Sequence, residues 1–250
     1  MHSPYMFDLL TKIFDDHKEY YIFEKIETIR REFRKSTNLI QDLDLGAGSH
    51  KVPGASRTIA QIAGSAVSSP RKCEVLFRLA EHLQPKVTIE LGSSLGISTA
   101  YLASAYANGH VSSFEGNPDL AKIAREVCDG LDLSNIDITC GNFDDVLPSC
   151  LDSLQDIDLA YFDGNHRKEP TLKYYEMLRS RCSQNAVFFI DDIRWSSEMF
   201  DAWKEMKNDP AVRATVDAFS FGLLFFSPIF KERLDLTVIP DRITGGPIFR

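Results

Sequence analysis

From Val87 onward the chain alternates short β-branched or aromatic runs with longer stretches of helical spacing, and this alternation limits the fold more than any other feature. The runs "VTIEL", "HVSSFE", "IDITC", "IDLAYFD" and "AVFFIDD" are each followed by a helix-like segment, beginning near Ile97, Pro118, Phe143, Glu169 and Ser196. Strands that read as near-continuous apolar runs are buried on both faces, and repeated strand-then-helix units require a mainly parallel sheet between two helical layers. The stretch "ATVDAFSFGLLFFS" differs, because two runs joined tightly through Ser220 and Gly222 predict an antiparallel hairpin at the sheet edge. One further strand is expected at "LDLTVI" in the tail. The fold class expected is α/β, with a mainly parallel seven-stranded sheet, an antiparallel edge hairpin and extra N-terminal helices.

Residues 5 to 35 read as two amphipathic helices, with Phe7, Leu10, Ile13 and Phe14 on one stripe and Tyr21, Ile22, Ile26, Ile29 and Phe33 on the other. Such stripes pack against the body of the protein or against a second subunit, so a homodimer through these helices is one expectation. The segments "SRTIAQIAGS" and "SPRKCEVLFRLAEHLQ" read as helices, each begun by a serine that can cap exposed N–H groups, the second with Pro70 in its first turn. Residues 1–66 are therefore expected to form a helical segment and linker, and residues 67–250 the α/β domain.

A chain of 250 residues, 44% of them apolar, can bury one full core. Its net charge of -8 argues against a nucleic-acid partner, which would need a basic face to neutralise phosphates. The opening "MHSPYMFDLLTKIFDDHK" is broken by Asp and Lys and reads as neither a signal peptide nor a membrane span, so a cytoplasmic protein with no membrane partner is expected. Five cysteines (Cys73, Cys128, Cys140, Cys150, Cys182) include no C-x-x-C pair, which suits reduced, mostly buried thiols better than disulfides or a zinc site.

Two glycine-bearing stretches compete as the turn that receives a ligand: "DLGAGSH", Asp44 to His50, and "TIELGSSLGIST", Thr88 to Thr99. Such a turn works when a buried strand enters it and a helix leaves it, presenting free N–H groups to an anion. The first stretch follows a polar, broken segment, and Pro53 and Gly54 stop a helix after it, so it reads as a linker without cofactor contact. The second has "KVTIE" before it and "ISTAYLASAYA" after it, which places Gly92 to Ser98 at the carboxyl end of a parallel strand. Glu115 closes the next strand about twenty residues on, the distance at which a carboxylate meets ribose hydroxyls. The spacing "GSSLG" is not G-x-G-x-x-G, so a nicotinamide dehydrogenase is a poor second reading.

Asp163 ends the fourth run, and Asp191 and Asp192 end the fifth, so adjacent strands would deliver three carboxylates to one edge. Such crowding calls for a cation, and oxygen donors suit Mg²⁺ or another hard divalent ion. The competing role for Asp191 or Asp192 is to cap the helix near Ser196. His166, three residues beyond Asp163, is the candidate general base, since an imidazole titrates near working pH. Arg194 and Trp195 are candidates for the acceptor pocket.

The motifs "IELGSSLGIST", "SFEGNP", "CGNFDDVLP", "AYFDGNH" and "FFIDDIRWS", in this order, resemble the class I S-adenosylmethionine-dependent methyltransferases. Within them the similarity is to the catechol O-methyltransferase-like group and the metal-dependent sugar O-methyltransferases, and it runs from about Val87 to Phe226. The resemblance implies a Rossmann-like methyltransferase fold in which Glu90, Gly92, Ser93 and Gly96 shape the methionine pocket and Ser98 lies near its carboxylate. It implies that Glu115 holds the ribose, that Asn142 and Phe143 border the adenine, and that Asp163 faces the cofactor. It further implies a divalent ion on Asp163, Asp191 and Asp192, with Asp163 and His166 as the catalytic residues. The function implied is methyl transfer to the hydroxyl of a small-molecule acceptor, a catechol, phenol or sugar diol. The alternatives are a metal-independent N- or C-methyltransferase and a catalytically silent S-adenosylmethionine-binding scaffold.

Overall fold

The computed structural model describes residues 3–16, 18–41, 56–154, 156–240 and 247–249, so the stretch Asp44 to His50 lies outside the described residues. Helix α1 (Pro4–Phe14) starts at Ser3, whose hydroxyl accepts from the Met6 N–H at 3.3 Å, and it buries Met6, Leu9, Leu10, Ile13 and Phe14. Phe7 is the exception to the expected stripe, because the buried face runs through Met6 and Leu9 and turns Phe7 outward. Helix α2 (Tyr21–Phe33) buries Phe23, Ile26 and, unexpectedly, Arg30, while Tyr21 faces solvent.

Strand β1 (Leu39–Gln41) pairs antiparallel with β2 (Ser56–Thr58), and helix α3 (Ile59–Ser65) follows directly. The segment "SRTIAQIAGS" is thus part strand, and the cap is Thr58 instead of Ser56. Gln61, three residues after Thr58, returns the hydrogen bond to the cap's own N–H and closes a capping box. Helix α4 (Pro70–Leu83) begins as expected, with Ser69 as cap and Pro70 in the first turn.

The alternating unit then runs β3 (Val87–Leu91), α5 (Ile97–Ala105), β4 (His110–Glu115), α6 (Pro118–Gly130), β5 (Ile136–Cys140), α7 (Phe143–Ser153), β6 (Ile157–Phe162), α8 (Lys168–Arg179), β7 (Cys182–Asp191) and α9 (Ser197–Lys207). Strands β8 (Ala214–Asp217), β9 (Phe221–Phe225), β10 (Leu234–Pro240) and β11 (Pro247–Phe249) complete a sheet of nine strands, two more than expected, in the order β11-β10-β8-β9-β7-β6-β3-β4-β5. The hairpin β8–β9 is present, but it is not the edge, because β10 pairs parallel with β8 and β11 pairs with β10. The run "LDLTVI" supplies β10, whereas β11 is too short to show a period.

Strand order reverses between β3 and β6: from β3 the chain moves outward through β4 and β5, then returns to place β6 on the other side of β3. In an open parallel sheet, ligands bind outside the carboxyl ends of the strands at this point. Alternation within strands assigns side chains to layers. Leu159 and Tyr161 of β6, with Val187 and Phe189 of β7, join the core under α1 and α4; Ala160, Phe162, Phe188 and Ile190 join the core under α8 and α9. Continuing the period by two residues places Asp163 and Asp191 on the α4 side.

Cys73 and Cys128 are buried and free, Cys150 and Cys182 half-buried, and Cys140 exposed, so fewer thiols are buried than expected. No described helix is long and apolar enough to cross a membrane.

Candidate active site

The turn after β3 is built by two glycines with different jobs. Gly92 has φ +101°, and a Cβ there would stand 2.5 Å from the carbonyl oxygen of Asp163, so the glycine lets the β3 turn lie against the end of β6. Gly96 has φ +79°, and a Cβ there would meet the Cα of Ala124 at 2.7 Å, so this glycine lets α5 pack on α6. Gly96 is also the cap of α5 and offers no side chain to the first N–H groups of that helix. A helix start in this state is a receptor for a carboxylate.

Beneath the turn, Glu90 is fully buried and accepts hydrogen bonds from Thr99 and Ser113, both at 2.6 Å. Burial raises its pKa above the ordinary glutamate value, and the hydroxyls of Ser113, Ser98 and Thr99 act against that rise. Ser98 thus turns toward Glu90. Glu115 laces the turn to the end of β4, accepting from the Ser94 N–H at 2.8 Å and the Asn117 N–H at 2.9 Å. Asn142 caps α7, accepting from the Asp144 N–H at 3.1 Å. Phe143 stands edge-on to Tyr174, 5.6 Å between ring centroids, and against Gly164, where a Cβ would meet its ring at 2.8 Å. The cofactor residues expected from sequence therefore line one edge of the sheet, and two of their buried atoms, Ser93 Oγ and Glu90 Oε1, have no hydrogen-bond partner among the described residues. Such atoms suit a polar ligand, since leaving them unpaired costs about 1–3 kcal/mol each.

The carboxylates converge beside this turn. Oxygens of Asp163 and Asp192 and a ring nitrogen of His166 lie within 4.8 Å of one another. His166 Nε2 is 3.7 Å from Asp163 Oδ1, and burial holds the imidazole pKa below its ordinary value against the pull of Asp192 and Asp191. Burial, reinforced by Asp191, pushes the Asp163 pKa well above the usual carboxylate range. Asp191 is set deeper: Tyr161 OH lies 2.9 Å from both its Oδ2 and Asp163 Oδ2, and Ser68 Oγ lies 3.0 Å from Asp191 Oδ2. Neither Asp191 nor Asp192 caps α9, because Ser196 does so itself, accepting from the Met199 N–H at 3.1 Å.

Three participants escaped the sequence reading. Lys72, in the first turn of α4, places Nζ 2.5 Å from Asp191 Oδ1 and 3.4 Å from Asp192 Oδ1. Burial alone would lower its pKa, but the two aspartates outweigh burial and hold the ammonium above the ordinary lysine value. Ser68 comes from the segment before α4, and its carbonyl is held at 2.6 Å by buried Arg30 of α2, which also pairs with Glu27 at 2.9 Å. Tyr161 was legible in principle, since it sits two residues before Asp163 and must share its face.

At the mouth, the Trp195 ring stands 6.1 Å from that of His166 and is largely exposed. Arg194 is not free for an acceptor: it grips Asp217 with both Nη atoms, at 2.7 and 2.8 Å, and lies over Phe200 and Phe219. Lys168 pairs with Glu205 of α9, outside the site.

With this geometry in view, comparison with known proteins is consistent throughout. Residues 89–193 match the family described as "Methyltransferase domain". A "Catechol O-methyltransferase" from Niastella koreensis is 27% identical over 185 residues, which cover 72% of this chain and 81% of that protein. The O-methyltransferase TomG from Streptomyces achromogenes, solved in complex with SAM, superposes with a TM-score of 0.61 at 18% identity, covering 84% of this chain and 91% of the other. An O-methyltransferase from Bacillus cereus in complex with SAH gives 0.59 at 16% identity, covering 87% and 94%. The chain thus carries a match to a methyltransferase domain over residues 89–193, on the Rossmann-like fold of the class I S-adenosylmethionine-dependent methyltransferases. Its similarity is to the catechol O-methyltransferase-like O-methyltransferases.

Proposed function

We propose that the chain moves the methyl group of S-adenosylmethionine to a hydroxyl of a small-molecule catechol, phenol or sugar diol, with the help of a divalent cation such as Mg²⁺. The observation that carries this reading is the convergence of Asp163, Asp192 and His166 next to the glycine turn at the point of strand reversal. A carboxylate pair with an imidazole at its margin fits a hard divalent ion. Bound there, the cation would supply positive charge that acidifies and orients the acceptor hydroxyl.

The chain's own groups account for the remaining requirements. The open start of α5 receives the methionine carboxylate, Glu115 takes the ribose, and Phe143 with Asn142 borders the base. His166, kept neutral by burial, accepts the hydroxyl proton at Nε2 as the oxygen attacks the methyl carbon and the sulfonium leaves as a neutral thioether. Trp195 shields one side of the acceptor. Turnover of a catechol and sugar-diol panel in EDTA, followed by Mg²⁺ or Mn²⁺ addition, tests the reading. Loss in chelator and recovery with metal is expected, and full activity in chelator would reject the metal's role.

A second reading has its own support. Lys72 already neutralises part of the acidic cluster, so metal-independent methyl transfer, to oxygen, nitrogen or carbon, is the alternative that chelator insensitivity would favour.

A further inference from the structure

The three carboxylates are not equivalent. Asp191 is 1% exposed and enclosed on both oxygens: Oδ1 faces Lys72 Nζ at 2.5 Å and the Asp192 N–H at 2.8 Å, and Oδ2 faces the hydroxyls of Tyr161 and Ser68 at 2.9 and 3.0 Å. An ionised carboxylate offers about four lone-pair sites: the Lys72 ammonium and the Asp192 N–H donate to Oδ1, while the two hydroxyls, with one proton each, are shared between Oδ2 and Asp163. The other two differ. Asp163 shares those two hydroxyls through Oδ2 only, and its Oδ1 faces His166 at 3.7 Å. The Asp192 side chain has Lys72 at 3.4 Å as its ion-pair partner and is 32% exposed.

The arrangement follows from the fold. Asp191 continues the Val187–Phe189 face of β7, which lies under α4, and Lys72 reaches down from the first turn of that helix. Asp192 follows at φ +51°, in the left-handed region, which turns the chain out of the strand beyond the layer α4 covers. One carboxylate is delivered to an ammonium and the next to the open end of the sheet.

We propose that Lys72 is the resident counter-cation of Asp191 and thereby confines divalent-cation binding to Asp163 and Asp192. This rests on the metal-assisted reading, and it departs from the three-aspartate ligand set expected from sequence. Lys72 is a positioning residue: its ammonium fixes Asp191, and through Asp191 the hydroxyls of Tyr161 and Ser68 that orient Asp163.

The test is titration of the full chain with Mn²⁺ alone, free metal being read by electron paramagnetic resonance without cofactor or acceptor. Asp192→Asn should weaken Mn²⁺ binding by roughly tenfold or more, about 1.4 kcal/mol, whereas Asp191→Asn, which keeps the shape and leaves the Lys72 charge unpaired 3.4 Å from Asp192, should cost clearly less. Lys72→Met should tighten binding severalfold, because it frees an Asp191 oxygen and removes a repelling charge, and Lys72→Arg should return affinity toward the parent. Equal losses in the two aspartate variants, or a Lys72→Met variant that binds like the parent, would overturn the proposal; melting curves identify a variant that has not folded, and the aspartate pair then decides alone. If the parent takes up no Mn²⁺ and Lys72→Met does, Lys72 keeps the ion out of the whole cluster, and the confinement to Asp163 and Asp192 falls together with the metal-assisted reading. If neither binds, both fall.

Discussion

Replacing Gly92 with alanine tests whether the β3 turn is fixed by contact with the end of β6. The added Cβ would sit 2.5 Å from the Asp163 carbonyl oxygen, 3.0 Å from its carbon and 3.3 Å from the Gly164 nitrogen, all backbone atoms that cannot rotate away. The first contact is about 0.9 Å shorter than the 3.4 Å at which ordinary contact begins. Overpacking of this kind costs about 1–3 kcal/mol. Holding a non-glycine residue at φ +101° adds about 1–3 kcal/mol. The total of roughly 2–6 kcal/mol corresponds, in a chain of this length, to a melting temperature lower by about 5–20 °C. Calorimetry on the parent, Gly92→Ala and Gly64→Ala measures it. Gly64 lies in α3, where an added methyl would have nothing within 4 Å, so its replacement should be neutral or stabilising by up to about 1 kcal/mol. A Gly92→Ala protein melting within about 2 °C of the parent would refute the argument.

Glu115→Ala removes the acceptor of two backbone N–H groups at the turn and the group assigned to the ribose, and isothermal titration should show S-adenosylmethionine binding at least tenfold weaker, about 1.4 kcal/mol; unchanged affinity would mean that the ribose sits elsewhere. His166→Ala should keep Mn²⁺ affinity near the parent's and lower turnover by roughly 10² to 10⁴, and undiminished turnover would remove His166 from the proton path. For Asp217, burial acts to raise the pKa, but the Arg194 fork and the Phe219 N–H outweigh it and hold it below the ordinary value. A depressed folded pKa contributes stability that is present above the unfolded value and lost as pH falls through the folded one. Asp217→Asn should therefore cost about 1 kcal/mol near pH 7 by urea denaturation, with the gap closing only below about pH 4; a gap that closes between pH 7 and pH 5 would contradict this assignment.

The sheet was legible because its physics is local. Each central strand is a short run rich in apolar residues, and α6, α7 and α9 each start at a capping Asn or Ser, so β3 to β7 and α5 to α9 fall close to where periodicity puts them. The added width at β10 and β11 was half hidden: β10 carries an alternating pattern, while β11 has three residues and depends on its partner for definition. Within the site, strand ends revealed Asp163, Asp191 and Asp192, and strand parity could have added Tyr161. Lys72 was illegible for a different reason. It stands 119 positions before Asp191, in a helix start where a lysine is ordinary, and only the packing of α4 over β6 and β7 brings the two together. Counting charge at the strand ends did call for a cation, and the chain supplies one of its own.

The buried Arg30 guanidinium, holding the Ser68 carbonyl from α2, has a consequence for building chimeras from this chain. An exchange of residues 87–226 for those of a relative would carry over all the strands from β3 to β9 and every carboxylate, and would still separate Asp163 and Asp191 from Ser68 and Lys72. The recipient's first 86 residues would have to offer a hydroxyl and an ammonium at matching height above the sheet, supported from behind by something equivalent to Arg30. Exchanges that move Arg30, Ser68 and Lys72 together with the strands would keep that support intact. The smallest segment that carries this hydrogen-bonded cluster whole thus begins no later than α2.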